Sequence, residues 1–471
     1  MKLSFDYDKT VAMLDDAMRL DKSFDLVARN IKSASRNVRI YFVDGLIKDE
    51  ILVKLISDLF AVGDDEVEGV NTAREFADRF IPYTETDVTD DVDELITFIL
   101  SGAAGIIVEG CKEAIRADLR MYPARSVEEP ENNRVLMGPH EGFVETLVFN
   151  TAMLRRRIRD TRLTIELFRL GKRTKLDTAV CFFEDKADRR TLRAVRDKLK
   201  KIDVNTLSMG HESLLECLVP RQPLNPFPKV RYTERPDSAA ASVAEGSIVI
   251  FTDCSPAAMI IPTGFFDFMQ DTNDFYFPPL IGTLLRWMRF AVFSLTLFMI
   301  PLWYLLILNP SYIPEWLSFI LIDEPTEVPI IVQLLMVELT VDALKIASLN
   351  TPSSLSSSFS IIGTLVLGQF AVDAKWLVSE IVLYMAFVSI ASFTQPSFEM
   401  GYAFKLSRLL IIILTAVFNL WGFIAGFAAV FFIIATTKTV SGRRYLYPLI
   451  PFDKKALGSL LVRKPISSQN N

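Results

Sequence analysis

The chain has 471 residues, of which 50% are hydrophobic and 23% are charged, and its formal net charge is −6. Residues 1–282 carry 38 Lys+Arg and 47 Asp+Glu, whereas residues 283–471 carry 13 and 10. The first part therefore has the composition of an acidic soluble protein, and the remainder is apolar. The length allows two or three domains, and the lack of a basic region argues against nucleic-acid binding.

The sequence contains no recognisable motif for catalysis or metal binding. Its two histidines fit no HExxH spacing, and no phosphate loop, dinucleotide fingerprint or GxSxG pattern occurs. We therefore predict no metal, no cofactor and no enzymatic activity. The cysteines are far apart and form no CxxC pair, which predicts reduced and mostly buried thiols; they are Cys111, Cys181, Cys217 and Cys254.

Residues 1–125 are predicted to form a first α/β subdomain. Helical spacing of apolar residues appears in "DEILVKLISDLFAV" and "DDVDELITFILSG". Short apolar or alternating runs predict strands at "VRIYFVDG", "AGIIVEG" and "EAIRADLRMYPAR". Since the N-terminus lacks an apolar core of signal-peptide length, we expect this region to stay in the cytoplasm.

Residues 126–160 are predicted to connect two subdomains. A polar, proline-containing loop leads into an amphipathic helix with Phe143, Leu147, Asn150 and Leu154 on one side. The helix ends in a basic run, where cations favour the C-terminal dipole. Two interpretations stay open for that run: a solvated helix end, or a docking surface for carboxylates of a neighbouring subdomain or subunit. The run is Arg155, Arg156, Arg157 and Arg159.

Residues 161–282 are predicted to form a second α/β subdomain. Strands are indicated by "TRLTIELFRLG" and "LDTAVCFFED", and a charged helix by "KADRRTLRAVRDKLKKI". A proline-marked loop then leads into another helix. The subdomain closes with the strand pair "GSIVIFTD" and "AAMIIP" around the turn "CSPA".

Residues 283–440 are predicted to form a helical transmembrane domain, followed by a cytoplasmic tail at 441–471. Residues 290–314 are uncharged and long enough to span a hydrocarbon core of about 30 Å. Arg286 and Arg289 precede them, which places that end in the cytoplasm. Residues 409–437 exceed one span, so we expect a strong tilt or a bend near Gly422 and Gly426. Shorter apolar runs, "WLSFILI", "FSIIGTLVLGQFAV" and "KWLVSEIVLYMAFVSIASF", lie between them.

The apolar segment 328–350 carries three ionisable residues, Glu338, Asp342 and Lys345. At 100° per residue they fall within an arc of about 60° on one helix face. Charges within membrane segments are costly and face a bundle interior, an ion path or each other. The residues alone leave two readings open: a helix-contact stripe whose charges neutralise one another, or the wall of a pore shared by several subunits.

Several longer motifs resemble the A-subunit family of bacterial spore germination receptors, the GerA family. They run in order from about Arg39 to Arg408 and are "YFVDGLIKDE", "YPARSVEEPE", "GPHEGFVETLVFNTAMLRRRIR", "FPKVRYTERPD", "GSIVIFTDCSPAAMIIPTGFFDFMQ" and "IIGTLVLGQFAVDA". The resemblance implies an α/β cytoplasmic region of two subdomains, followed by an α-helical multi-pass membrane domain. It also implies residence in the spore inner membrane.

The resemblance further implies a homo-oligomeric ring, with a pentamer as the expected size, that opens an ion-conducting pore early in germination. A small membrane protein, other germination proteins and membrane lipid are the implied partners, and a separate subunit is implied to bind the nutrient. Some motif residues have a charge pattern that suits contacts between subunits. These are Arg125, Glu128, Glu129, Glu141, Arg155, Arg156, Arg157, Arg235 and Asp237. A non-conducting regulatory or scaffold subunit is the alternative.

Overall fold

The computed structural model describes residues 2–81, 85–122, 138–219, 222–322, 327–350 and 370–463. The chain divides into two compact units. The α/β unit consists of Met1–Arg221, Val230–Thr263 and Val440–Gly442. The helical unit consists of Gln222–Lys229, Gly264–Thr439 and Arg443–Asn471.

The first half of the α/β unit is a five-stranded antiparallel sheet with strand order β1-β2-β4-β5-β3. Its strands are β1 (Leu26–Ser33), β2 (Arg36–Val43), β3 (Thr86–Thr89), β4 (Ala104–Val108) and β5 (Ala114–Ala117). Its helices are α1 (Tyr7–Met18), α2 (Asp49–Ala61), α3 (Asp64–Val67), α4 (Ala73–Phe80) and α5 (Val92–Leu100). The predicted strands and helices are all present, although β5 is shorter than expected. Apolar periodicity did not predict α1, β1, α3, α4 and β3, which are short or rich in polar residues.

The second half is another five-stranded antiparallel sheet, with strand order β6-β7-β9-β10-β8. Its strands are β6 (Leu163–Leu170), β7 (Leu176–Phe183), β8 (Arg231–Thr233), β9 (Ile248–Thr252) and β10 (Ala258–Ile261). Its helices are α6 (Leu147–Arg157), α7 (Arg189–Lys200), α8 (His211–Leu218) and α9 (Pro236–Ala244). The predicted elements are confirmed, and β8 and α8 are additional.

The two sheets repeat one topology. In each, two hairpin-paired strands come first, the third strand in sequence occupies the far edge, and a helix separates it from the fourth. Every residue of the central strands β4 and β9 is buried. Because both faces of these strands are covered, their sequences are apolar on both faces rather than alternating, except for Thr252 at the end of β9. The α/β unit is therefore built from two copies of one fold.

The four cysteines of the α/β unit form no disulfide. Cys111 and Cys181 are buried, Cys217 is partly buried and Cys254 is exposed. The prediction of reduced thiols agrees with this arrangement, whereas burial holds for only half of them.

The helical unit contains the long helices α11 (Pro279–Leu308), α12 (Ile330–Asn350) and α15 (Phe398–Thr436). Its shorter helices are α10 (Asn273–Tyr276), α13 (Ala371–Asp373), α14 (Ser379–Ser392) and α16 (Lys454–Leu461), and "WLSFILI" contributes a 3-10 helix, Glu315–Ile320. Within the described ranges, α11 and α15 are long and apolar enough to cross a membrane. The predicted apolar run at 359–372 lies almost entirely outside the described residues.

Helix α15 reverses direction at Asn419, whose backbone angles are φ 51° and ψ −131°. The predicted bend therefore exists, three residues before Gly422. A Cβ at Gly422 would overlap the Leu414 carbonyl oxygen, and one at Gly426 would lie 3.0 Å from the Ile411 Cα. Because only glycine permits so close an approach, these two residues let the arms before and after Asn419 pack backbone against backbone.

The C-terminal segment of the helical unit lies beside the start of α11. Arg286 donates to the carbonyl oxygens of Ser459 and Leu460, at 3.0 and 3.3 Å. Arg286 and Arg289 also pair with the buried Asp274, with N–O distances of 3.0–3.1 Å. The cations that precede the first long apolar helix are thus neutralised within the unit and hold its C-terminal segment in place.

Candidate functional site

The predicted charged stripe lies on α12. Glu338 is buried, and Asp342 and Lys345 are partly buried. The helix was predicted at 328–350 and is observed from Ile330 to Asn350. Its stripe faces the first arm of α15, the part of that helix before Asn419, and does not lie open on the surface of the single chain.

Two cations of α15 neutralise the carboxylates of α12. The Arg408 Nη2 donates to Glu338 Oε1 at 2.6 Å, and the Lys405 Nζ lies 3.4 Å from the same oxygen. Lys405 also forms a close ion pair with Asp342. A second Arg408 nitrogen, Nη1, donates to the Thr296 carbonyl oxygen at 3.0 Å. The three long helices α11, α12 and α15 therefore meet at Arg408.

The sequence spacing explains why the two acids of α12 contact the two cations of α15. Glu338 and Asp342 are four residues apart, and Lys405 and Arg408 are three apart, so each pair occupies one helix face. Both cations lie within α15, which begins at Phe398, about two turns before Lys405. The requirement that buried carboxylates find cations was the signal that could have identified them.

Lys345 is the last residue of the stripe in sequence, and it contacts an aromatic ring. Its Nζ lies 5.3 Å from the centroid of Phe393, a cation–π distance. Asp342 and Lys345 are three residues apart, a spacing at which two side chains on one helix can pair. Asp342 instead uses Lys405 of the neighbouring helix as its partner.

A cavity of about 250 Å³ lies at this cluster. All five charged residues line it, together with serines and with the aromatic side chains of Phe393, Phe398, Tyr402 and Phe404. Three buried polar atoms of its lining residues have no hydrogen-bond partner within the described part of the chain. They are Asp342 Oδ1, Gln395 Oε1 and Arg408 Nε. Buried polar atoms are almost always paired in native proteins, so these three mark the cavity as a candidate site.

The basic end of α6 is solvated only in part, since Arg155 is buried, Arg156 and Arg157 are partly buried and Arg159 is exposed. Arg155 is completely buried and forms a bidentate pair with Asp25, with Nε–Oδ2 at 2.7 Å and Nη2–Oδ1 at 3.1 Å. Its remaining donors reach Ser23 Oγ and the carbonyl oxygens of Asp160 and Leu163, at 3.0–3.1 Å. Since Asp25 precedes the first sheet and α6 precedes the second, the pair joins the two halves of the α/β unit. Of the two open interpretations, docking onto a neighbouring subdomain describes Arg155.

Five other predicted contact residues of the α/β unit also pair within the chain. Arg156 and Arg157 lie 3.5 and 2.8 Å from Glu141. Arg235 makes a bidentate pair with Asp237 at 2.6 and 3.0 Å. Arg125, Glu128 and Glu129 lie outside the described residues. A role of these residues between subunits stays a prediction.

The described residues contain no group of three or more His, Cys, Asp or Glu side chains that could hold a metal ion. The chemistry that the structure offers is instead one charged, partly unsatisfied cavity within an apolar helical unit. Together with two helices of membrane-spanning length, this indicates a membrane-associated protein that also contains a duplicated α/β unit.

The comparisons with known proteins identify its family. The family model described as Bacillus/Clostridium GerA spore germination protein matches residues 15–471. The chain belongs to the GerA family of spore germination proteins, as the sequence motifs predicted.

Two relatives and one solved structure illustrate the relationship. Stage V sporulation protein AF of Bacillus subtilis (strain 168) is 37% identical, over 94% of this chain and 89% of that protein. The uncharacterized membrane protein YfkQ of the same organism is 27% identical, over 90% and 83%. The N-terminal domain of the A subunit of the Bacillus megaterium spore germinant receptor GerK3 aligns with a TM-score of 0.43 and 22% identity, over 55% of this chain and 96% of that one.

Proposed function

We propose that this protein is a non-enzymatic, multi-pass subunit of the spore inner membrane that forms an ion channel. In this proposal, copies assemble into a homo-oligomeric ring, with five as the working number, and release monovalent cations early in germination to amplify the response. A small membrane protein and other germination proteins are its proposed partners. The observation that carries the proposal is the cluster of charged residues inside an apolar helical unit, in which Glu338 and Arg408 are buried and Asp342, Lys345 and Lys405 are partly buried.

Buried ionisable groups in a membrane are expensive, and they usually serve an ion path or a partner charge. In the described conformation Arg408 and Lys405 occupy the carboxylates of Glu338 and Asp342. We take this as the closed arrangement of the channel. Opening would separate α12 from α15, so that rings of carboxylates could attract cations.

The orientation of the chain is part of the proposal. The start of α11 and the segment that contains α16 contact each other in the helical unit. Both would therefore lie on one membrane side, which the positive charges of Arg286 and Arg289 assign to the cytoplasm. The α/β unit precedes α11 and would lie on the same side.

Flux measurements test the channel. Purified protein in liposomes should release trapped potassium, and Glu338→Gln with Asp342→Asn should lower the rate at least about tenfold, since the attracting charges are gone. Lys405→Gln should instead raise the basal leak, because it weakens the closed arrangement. Thr340→Val is the matched control, since Thr340 lies on α12 but does not line the cavity. An unchanged rate in the carboxylate variants would show that the cluster is not part of an ion path.

A non-conducting regulatory or scaffold subunit is the second candidate. It is favoured by the charge pairing itself, because each α12 carboxylate already has a cation partner on α15. A contact that only holds the two helices together requires no ion and no further partner for these charges. Liposomes that stay sealed with the wild-type protein, under every lipid composition and membrane potential applied, would favour this candidate over the channel.

A further inference from the structure

We propose that two oppositely charged faces of the α/β unit bind each other between copies of this chain. The acidic face is formed by residues 49–69, which contain α2 and α3, and the basic face by residues 189–201, which contain α7. The partner is therefore a second copy of this chain, bound head to tail. The inference rests on the proposed function, since it names a contact within the proposed ring.

The two faces occupy equivalent places in the duplicated fold. In each half, a hairpin of two strands leads into a long helix, which is α2 after β1 and β2, and α7 after β6 and β7. Both helices bury one side against their own half and leave the other side exposed. Their exposed positions match in spacing: Asp49, Glu50, Val53 and Phe60 on α2, and Arg189, Arg190, Arg193 and Lys200 on α7.

The charges of the two faces are equal and opposite. Residues 49–69 contain seven acids and one lysine, a net charge of −6, whereas residues 189–201 contain seven basic residues and one acid, a net charge of +6. Opposite charges at an interface attract, and like charges placed against each other cost several kcal/mol. The acidic face of one copy therefore favours the basic face of another, and each face rejects a copy of itself.

Contacts within the chain do not account for the basic face. Arg189, Arg190 and Arg193 are exposed, and they have no carboxylate partner among the described residues. Arg189 and Arg190 also lie in the first turn of α7, where the helix dipole disfavours cations. The ion pair that α7 does form, between Arg196 and Glu166, stays within the second half of the unit. The exposed arginines destabilise the isolated helix end, and an acidic partner would offset this effect.

The acidic face also carries apolar side chains that a bound helix can cover. Val53 and Phe60 are 64% and 57% exposed, and they lie seven residues apart on one side of α2. The aliphatic stem of an arginine packs on such a surface, and its guanidinium binds an aromatic ring. The combination of an apolar centre with a charged surround is typical of protein–protein interfaces.

The contact joins unlike faces. The acidic face belongs to the first half of the α/β unit and the basic face to the second, and no ion pair among the described residues joins the two faces of one chain. Each copy can thus offer its acidic face to one neighbour and its basic face to another. Head-to-tail contacts of this kind close into a ring when the rotation between copies permits it.

Zero-length cross-linking of the full-length protein in liposomes tests the contact. A carbodiimide joins a carboxylate to a lysine amine where the two touch, so covalent dimers on a denaturing gel report contacts between copies. We expect cross-linked peptides that pair residues 49–69 with Lys200 or Lys201. Lys200→Arg with Lys201→Arg keeps the charge but removes the amines, so this variant should give at least about fivefold fewer dimers.

Charge reversal supplies the second variant. Arg189→Glu with Arg193→Glu should lower the dimer yield at least about tenfold, since like charges then oppose each other. Adding Asp49→Arg and Glu50→Arg to the same chain should restore at least about half of the yield, because the faces are again complementary. Arg173→Glu with Lys175→Glu, in the exposed turn between β6 and β7, is the matched control and should leave the yield unchanged.

Three results would overturn the contact. They are cross-linked peptides that pair other segments, a dimer yield that neither the lysine nor the arginine variant lowers, and a charge exchange that restores nothing. If light scattering then still shows a ring, the ring remains and only this contact is rejected. Monomers without covalent dimers would reject both. Dimers that follow the variants without potassium flux would keep the contact and reject the channel.

Discussion

In the α/β unit, the guanidinium of Arg155 meets a carboxylate, a hydroxyl and two carbonyl oxygens, and every contact lies between 2.7 and 3.1 Å. In the helical unit, Arg408 has a carboxylate and one carbonyl oxygen, and its Nε has no partner among the described residues. Both side chains are buried and both face acids. They differ in how completely their hydrogen-bonding capacity is used.

That difference separates a structural ion pair from a candidate functional one. A buried network in which every group is satisfied fixes one arrangement of its elements. A partly satisfied network costs free energy in the resting state, and it can be completed by a ligand or by a second arrangement. We therefore expect Arg155 to matter for stability and the Arg408 cluster to matter for function.

The largest effect is expected for Arg155→Met, which leaves Asp25 buried without its partner. Removing one member of a buried pair costs about 3–5 kcal/mol. The loss of stability should appear as faster amide hydrogen exchange in β1 and β6, measured by mass spectrometry on the full-length protein. Tryptophan fluorescence would not report it directly, since all five tryptophans lie in the helical unit; they are Trp287, Trp303, Trp316, Trp376 and Trp421.

Arg157→Met is the matched control for that experiment. Its partner Glu141 and Arg157 itself are both partly exposed, so the pair should contribute no more than about 1 kcal/mol. Equal exchange in the two variants would mean that Arg155 does not join the halves of the α/β unit as the contacts indicate. Potassium flux from a folded Arg155 variant should be unchanged, which sharpens the contrast with the Arg408 cluster.

An intermediate loss of stability is expected for Gly422→Ala. The helical unit depends there on close backbone contact and not on a fully satisfied charge network. The added methyl group would overlap the Leu414 carbonyl oxygen, so the arms of α15 must separate. Overpacking of this kind costs about 1–3 kcal/mol. Thermal unfolding in detergent, followed by tryptophan fluorescence, should show the loss.

Gly458→Ala provides the control for Gly422→Ala. A Cβ at Gly458 meets no atom within 4 Å, and the residue lies inside α16. Alanine should therefore stabilise that helix by about 0.5–1 kcal/mol. If both glycine variants melt alike, the arms of α15 are not held by the contact at Gly422.

The smallest expected effect is a dependence of the stability of the α/β unit on pH. The ring of His211 contacts Ser255 and Tyr232, and burial lowers the pKa of His211 below its usual 6.5. Because the folded state disfavours the charged ring, its contribution to stability is complete above pH 6.5 and declines as the pH falls toward the lowered pKa. Urea unfolding followed by circular dichroism should therefore show a lower midpoint at pH 5.5 than at pH 7.5.

His211→Gln removes the titrating ring and should reduce that difference between the two pH values. The comparison is made within each protein, so a general loss of stability in the variant does not affect it. A variant that keeps the full wild-type difference would assign the pH dependence to other groups. The helical unit, reported by tryptophan fluorescence, should not follow the change at His211.

Much of the fold could be predicted from the sequence, because the patterns that indicate helices and strands are local. Apolar periodicity located α2, α5, α7 and the strands β2, β4, β6, β7, β9 and β10. The charge division separated the acidic region from the apolar one, and the motifs identified the family. The stripe on α12 followed from helix geometry alone, since 100° per residue brings Glu338, Asp342 and Lys345 to one face.

Only the tertiary structure decided what those charges touch. Asp25 and Arg155 are 130 residues apart, and Glu338 and Arg408 are 70 apart, so no local pattern pairs them. The shared strand order of the two sheets was likewise hidden, because it depends on hydrogen bonds between strands distant in sequence. The sequence determined which faces are apolar and which carry charge. Packing determined which buried charges are fully satisfied and which remain available for a ligand or an ion.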